Sequence, residues 1–291
     1  MSSHSNPAFR AALVQMCSGR DVARNVSDAL ALIEEGAAQK AAYVQTPECT
    51  TLMEVDPDRL MAETKSEGGN EALAAFTTVA RKHGIWLHIG SMAVKVAERR
   101  LANRSYLIAP NGEISARYDK IHMFDVDLGN GEVYSESVNY QAGSQAVLAD
   151  LPWGQIGLTI CYDLRFPALH RALAKGGARF IASPAAFTRI TGEAHWHTLL
   201  RARAIETETF VLAAAQGGRH ENGRETFGHS LIISPWGETL AEGGTEPGVI
   251  VAEIDMRRID DVRRKIPSLT HDRAFDIVEA RTLQLETIRK S

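Results

Sequence analysis

Three short stretches of the 291-residue chain carry side chains that could do covalent chemistry together. In GLTICYDLRFP, Gly157 to Pro167, an apolar, β-rich run stops at Cys161 and gives way to a polar turn and a proline. The run reads as a strand buried on both faces, so the thiol falls at its carboxyl end, the edge of an α/β sheet where ligands bind. Pro167 suits the first turn of a helix, where its missing N–H costs nothing. Backbone N–H groups and a helix N-terminus beside the thiol are expected to lower its pKa and to hold an oxyanion. Free cysteine is also among the most buried and inert residue types, so this stretch alone leaves a structural role open.

A nucleophile needs a base and a group that stabilises developing negative charge. QTPE puts Glu48 at the end of another short strand, and a carboxylate there takes the thiol proton if burial raises its pKa towards neutrality. YDKIHMFD puts Lys120 at the end of a strand that follows a hairpin, where a cation steadies a tetrahedral oxyanion. Taken singly, Glu48 also fits a solvated turn acid and Lys120 a surface lysine. Cys49, beside Glu48, is expected on the opposite face of its strand as a structural residue.

The elements that must position these groups alternate between strand and helix. RAALVQM (10–16) reads as a buried strand, and Val22, Val26, Leu30 and Ile33 then mark one helix face. A second helix is expected over about 71–83, with Leu73, Phe76 and Val79 inward and Gly84 as its stop. Asn111-Gly112, between RSYLIA and EISARY, predicts a hairpin with a type I′ turn. After a Gly- and Asp-rich loop (125–145) the pattern restarts: strand, PWG turn, QIGLTIC, a helix over 167–175, RFIAS, a helix over about 193–209, then FVLAAAQ, GHSLIIS and GVIVAEI. The halves look alike, which suggests two sheets face to face with helices outside.

Composition narrows the classes. A hydrophobic fraction of 44% supports a full core, and a net charge of −4 gives no global reason to bind nucleic acid or an anionic membrane. No apolar run approaches the roughly 18 residues of a membrane span, and MSSHSNPAFR lacks the pattern of a leader, so a soluble, cytoplasmic protein is expected. Three cysteines are an odd, sparse set that fits a reducing compartment, where the N-x-S triplets at Asn25 and Asn103 carry no weight. There is no phosphate-cradling P-loop, GNGEVY (129–134) lies in a loop rather than between strand and helix, and no G-x-S-x-G elbow occurs. His195 and His197 fall on different faces of one helix, and without an H-E-x-x-H no metal site is expected.

Together the three stretches resemble the nitrilase superfamily of carbon-nitrogen hydrolases, whose Glu-Lys-Cys set occurs in this chain order. The resemblance runs from RAALVQM to IPSLTHDRAF; CYDLRFP, KIHMFDVD, TGEAHWHTLLRARAIET, AAAQGGRH and GHSLIISPWGE are similar to the Nit branch. The Trp-Glu pair usual after the cysteine of true nitrilases and the polar turn of carbamoylases are both missing. The resemblance implies an α/β fold, a four-layer αββα sandwich, that forms a homodimer or higher homo-oligomer, with 8–270 as one hydrolase domain; the polar, charged residues 271–291 read as a C-terminal arm or helix expected at the interface with a partner subunit. It implies Cys161 as nucleophile, Glu48 as general base, Lys120 as oxyanion stabiliser aided by the Tyr162 N–H, and Glu136 as the acid supporting Lys120, with Glu132 its nearby competitor. It further implies that Arg165 and Thr191 contact an α-keto acid end of a small-molecule substrate and that Phe187 lines the pocket, with no cofactor. Arg165 equally fits a salt bridge to Asp163 that holds the turn. The substrate implied is deaminated glutathione, with α-ketoglutaramate (an ω-amidase) and N-carbamoyl amino acids as alternatives. Where the family usually has bulky apolar residues before its Pro-Glu pair, this chain has Gln45-Thr46, which is expected to make the wall near the base more polar. Outside this class stand a silent scaffold and a redox-sensing thiol protein, the latter needing a resolving cysteine near Cys161.

Overall fold

Side chains alternate along strand β1 (Ala8–Gln15): Phe9, Ala11 and Leu13 enter one apolar cluster, Ala12 and Val14 a second on the other face. A strand apolar on both faces has to be covered on both. The structure, a computed structural model, describes residues 8–129 and 131–278 and shows how. The chain continues through α1 (Val22–Ala38), β2 (Tyr43–Gln45), α2 (Pro57–Glu63), α3 (Glu71–His83), β3 (Trp86–Ala97), β4 (Arg100–Ile108) and β5 (Ile114–Asp119). A small ribbon of β6 (Asp125–Asp127) and β7 (Val133–Ser135) follows, then β8 (Val147–Leu151), β9 (Gly154–Leu158), α4 (Pro167–Lys175), β10 (Ala178–Ala182), α5 (Arg189–Thr207) and β11 (Phe210–Ala213). A second ribbon, β12 (Gly217–Arg219) with β13 (Glu225–Phe227), precedes β14 (Leu231–Ile233), β15 (Thr239–Glu242), β16 (Gly248–Asp255) and α6 (Arg257–Lys265).

Two six-stranded sheets result, ordered β16-β1-β2-β3-β4-β5 and β15-β14-β11-β10-β9-β8. Both have three parallel strands in the middle, one antiparallel strand on one side and two on the other, so the repeat suggested by the sequence extends to strand order. Leu13, Tyr43 and Leu107 of the first sheet share a buried cluster with Leu158, Phe180 and Leu212 of the second. Ile33 of α1 and Phe76 and Val79 of α3 pack on the outer face of the first sheet, and Leu169 and Leu173 of α4 on Ile181 of the second. The layers are therefore helix, sheet, sheet, helix.

Local chemistry sets the element ends. The Asp21 and Asn70 side chains accept N–H bonds from Arg24 and Leu73, capping α1 and α3, and Gly84 ends α3 at φ 63°. Helix α5 starts at Arg189, earlier than the expected 193, because Thr188 accepts a bond from the Thr191 N–H and opens the helix there. The 108–114 hairpin forms, but not with a type I′ turn. Pro110 takes a central position and its ring forbids positive φ, the Gly112 N–H bonds Ala109 O at 2.8 Å, and only Gly112 turns left-handed, at φ 84°. Helix α2 has no counterpart in the sequence reading; Asp56 caps it and Pro57 opens it. Residues 271–278 lack regular structure, with Asp272 paired to Arg171 and Lys175 of α4, and the rest of the expected arm, 279–291, lies outside the described residues.

Candidate active site

Glu48 stands in a turn three residues beyond β2. Thr50 closes this turn, its hydroxyl 2.7 Å from both the Pro47 carbonyl and the Thr46 hydroxyl. The turn rests on Gly90 so closely that a Cβ there would fall 2.1 Å from Thr46 O and 2.5 Å from the Pro184 side chain of the other sheet. Glycine is the residue that fits. The Glu48 carboxylate is filled on both oxygens: Oε1 accepts from Lys120 Nζ at 2.9 Å and Asn103 Nδ2 at 3.0 Å, Oε2 from the Ala186 N–H at 2.9 Å.

Lys120 follows β5 directly, its N–H bonded to Asn103 O on β4. Nζ also donates to Glu136 Oε2 at 2.8 Å, and Asn103 Nδ2 donates to Glu136 Oε1 at 3.0 Å, so one amide spans both acids. Glu136 takes a further bond from the Phe124 N–H at 2.7 Å; Glu132 instead meets the Tyr134 hydroxyl at 3.5 Å, away from the lysine. The side chains of Lys120, Glu48 and Glu136 are 2%, 5% and 13% exposed. Breaking a buried pair of this kind by removing one partner costs about 3–5 kcal/mol.

Cys161 opens the 3-10 turn Cys161–Arg165 after β9, with φ 49°, a strained value for a residue with a Cβ. Its N–H bonds Pro184 O at 2.8 Å. Asp163 holds the turn: its carboxylate accepts from the Tyr118 hydroxyl at 2.6 Å, the Ile160 N–H at 2.9 Å and the His122 N–H at 3.1 Å. The expected Arg165 to Asp163 salt bridge is not formed, because Arg165 points to His195, 3.3 Å away, and over the Phe187 ring.

The electrostatics correct two expectations. Burial pushes the Glu48 carboxyl up, but the Lys120 charge, hydrogen bonds from Cys161 and Lys120, and the Arg224 charge outweigh it and hold Glu48 below the ordinary carboxylate range. Burial and the Glu48 charge push the Cys161 thiol well up, against the lowering expected from a helix N-terminus. Burial opposes the Lys120 charge, yet Glu136 and Glu48 keep its pKa well above the usual lysine value. In the resting site, then, a neutral thiol is hydrogen-bonded to an ionised carboxylate, beside a fixed ammonium. The thiol proton has somewhere to go, and the cation remains in place when it goes.

These groups line a cavity of about 250 Å³, the size for a small molecule. Tyr162, Arg165, Phe187 and Thr191 line it as well, so every site residue expected from the sequence meets at one place. Gln45 and Thr46 do not: both are fully buried, Gln45 bonding Leu212 O and Thr46 the Thr50 hydroxyl, so their polarity is spent inside the fold. Cys49 also departs from expectation. It lies in a turn at φ 57° and lines the cavity, its thiol pushed up to about 12 by burial and the Glu48 charge. Sequence reasoning missed Asn103 and Arg224, which line the cavity from β4 and from the residue before β13. Away from it, His197 meets His229 and Glu242, with ligand atoms within 4.8 Å of one another; hydrogen-bond distances of 2.9 and 3.2 Å from the histidines to one Glu242 oxygen account for the grouping.

The chain belongs to the carbon-nitrogen hydrolase family, whose model matches residues 10–264, and is thus a hydrolase of carbon-nitrogen bonds. Among individual relatives, it is 41% identical over 270 residues to the deaminated glutathione amidase of Yersinia enterocolitica, covering 90% of this chain and 92% of that protein. The crystal structure of the C. elegans NitFhit protein superposes with a TM-score of 0.85 at 35% identity, over 91% of this chain and 65% of that one. A mutant of the amidase from Nesterenkonia sp. AN1, with acrylamide added to its active site cysteine, gives a TM-score of 0.74 at 26% identity, over 89% of this chain and 98% of that one.

Proposed function

We propose that the chain is an amidase that hydrolyses deaminated glutathione to 2-oxoglutarate and Cys-Gly through a thioester on Cys161. The observation that carries this reading is that buried Cys161 lines one cavity with Glu48, whose carboxylate Lys120 Nζ bonds at 2.9 Å. The relatives named for this substrate, and the neighbour modified at its active site cysteine, support it.

The geometry supports two half-reactions. Sulfur adds to the amide carbonyl while the thiol proton passes to Glu48; Lys120 and the Tyr162 N–H face the oxyanion. The intermediate collapses as the C–N bond breaks and Glu48 returns the proton to the leaving amine. Water then attacks the thioester, giving a proton to Glu48, and the C–S bond breaks to release the acid and restore the thiol. Glu136 fixes Lys120 from the far side, Arg165 and Thr191 hold the α-keto acid end, and Phe187 packs along it. An arginine fork suits a carboxylate because both N–H groups bond at once.

The same reading includes a cytoplasmic homodimer. Three free cysteines are consistent with a reducing compartment, and among the described residues no helix is long and apolar enough to cross a membrane. Exposed Ile205, Trp236 and Ile266 support a self-association face: Ile205 lies against Gly237, and Lys265 sits 5.9 Å over the Trp236 ring. Sedimentation at micromolar concentration tests it; a monomer at all concentrations removes the dimer from the reading.

The substrate is tested by following 2-oxoglutarate release from deaminated glutathione and from α-ketoglutaramate, with wild type and Cys161→Ala. Preference for the tripeptide analogue, lost in the variant, is expected. Preference for the short amide makes the protein an ω-amidase, and turnover by Cys161→Ala at the wild-type rate sinks the mechanism.

A further inference from the structure

Two guanidinium groups line the cavity without a carboxylate to neutralise them. Arg165 lies over the Phe187 ring at 5.3 Å and meets His195 at 3.3 Å. Arg224 lies over the Tyr134 ring at 5.2 Å and donates to the Ala186 carbonyl. Its Nη1 has only the Met53 sulfur, a weak acceptor, at 3.9 Å, and its Nε is buried with no hydrogen-bond partner. The acids that line the same cavity are already taken: Glu48 and Glu136 by Lys120, and Glu54 by Arg20 and Arg59. Among the described residues neither Arg165 nor Arg224 has an acidic group within salt-bridge distance. Two guanidinium groups without an anionic partner in one cavity call for a ligand with two anionic groups.

We propose that Arg224 forms a second carboxylate subsite, which holds the free carboxylate of a short peptide leaving group. The inference rests on the amidase reading and says which part of the substrate goes where. Arg224 donates to the Ala186 carbonyl and the Ala186 N–H holds Glu48 Oε2 at 2.9 Å, so this arginine stands on the side of the base that must protonate the departing amine. Arg165, with Thr191 and Phe187, stands on the α5 side and takes the acyl end. A two-residue leaving group extends about 7 Å beyond the scissile nitrogen and ends in a carboxylate; ammonia, the alternative leaving group, offers Arg224 nothing. Arg224 thus selects peptide amides over primary amides, and one cavity separates the two substrate classes by the second arginine alone.

The test compares deaminated glutathione with its C-terminal glycinamide analogue, using wild type and Arg224→Gln, with Cys161→Ala as the blank. Wild type is expected to prefer the free carboxylate by about 30-fold in kcat/KM, the scale of one charge-assisted pair. Arg224→Gln is expected to treat the two alike. Because Arg224 also bonds Ala186 O, next to the N–H that holds Glu48, the variant will lose some activity on everything; the ratio between the two compounds removes that part. Cys161-dependent turnover with no preference in wild type, or with the preference intact in Arg224→Gln, overturns the subsite and leaves the amidase standing. Absence of Cys161-dependent turnover of either compound overturns both.

Discussion

Cys161 and Cys49 line the same cavity, yet the structure treats them differently. Both have left-handed backbone, at φ 49° and 57°, and both thiols are pushed up by burial and by the Glu48 charge. Cys49 is the residue next to Glu48 in the chain, but the thiol that hydrogen-bonds the carboxylate belongs to Cys161, from the other sheet. Cys49 is instead anchored through its main chain, its N–H donating to Ser91 Oγ at 3.0 Å and its carbonyl accepting from Gln216 at 3.3 Å. In the proposed mechanism a depressed thiol pKa is therefore not what singles out the nucleophile. What singles out Cys161 there is a place for its proton and a cation beside that place.

Five measurements test this contrast. Cys161→Ala should lower kcat by about 10⁶-fold, the scale of losing a covalent nucleophile, and retention of even a hundredth of the activity would make the two cysteines equivalent. Glu48→Gln cannot take a proton and turns an amide NH2 toward the donors that fill the carboxylate, and should cost at least about 10²-fold in single-turnover rate, with Cys161 still in place. Iodoacetamide labelling followed by peptide mass separates the thiols directly. With its pKa pushed up to about 12, Cys49 should be almost wholly thiol at pH 8 and label faster with each pH unit up to about 10; a plateau below pH 9 breaks the assignment. The acid limb of kcat/KM sharpens the role of Glu48. The base works only when ionised and its pKa is held down, so activity should persist as pH falls to the ordinary carboxylate value of 4.5 and fail below it; a limb near pH 6 to 7 contradicts the geometry. Smallest of all, Cys49→Ala should change kcat/KM by less than about tenfold, since no step uses its sulfur.

The parts of the site that were legible in the sequence are those whose signal is local. Glu48, Lys120 and Cys161 each follow a strand-like run, and a polar residue at such an edge stands out against the apolar residues before it. Thr191 became part of the first turn of α5 only through the Thr188 cap, a one-residue signal that the helical periodicity further along obscured. Asn103 sits inside β4, where the sequence offers only an N-x-S triplet; nothing local says that its amide will span two glutamates 55 and 33 residues away. Arg224 follows Asn222-Gly223, and that turn signal was the one cue that the arginine leaves the surface at a loop. The direction of the Glu48 shift was missed for a related reason. Burial is a property of a single strand end and can be guessed, whereas the opposing charge of Lys120 depends on packing between elements 72 residues apart.

The antiparallel pairing of β1 with β16 matches Ala8 with Asp255 and Gln15 with Gly248, so among the described residues the first strand is completed by the last. During synthesis β1 must wait with one edge open through more than two hundred residues of chain, a closure whose entropic cost grows only slowly with length but which cannot begin early. The sheet that carries Glu48 and Lys120 is thus finished after the sheet that carries Cys161 has all its strands. A nascent or C-terminally truncated chain exposes the unpaired, largely apolar edge of β1 instead of a working cavity, and the first appearance of turnover should mark the end of folding rather than any intermediate stage.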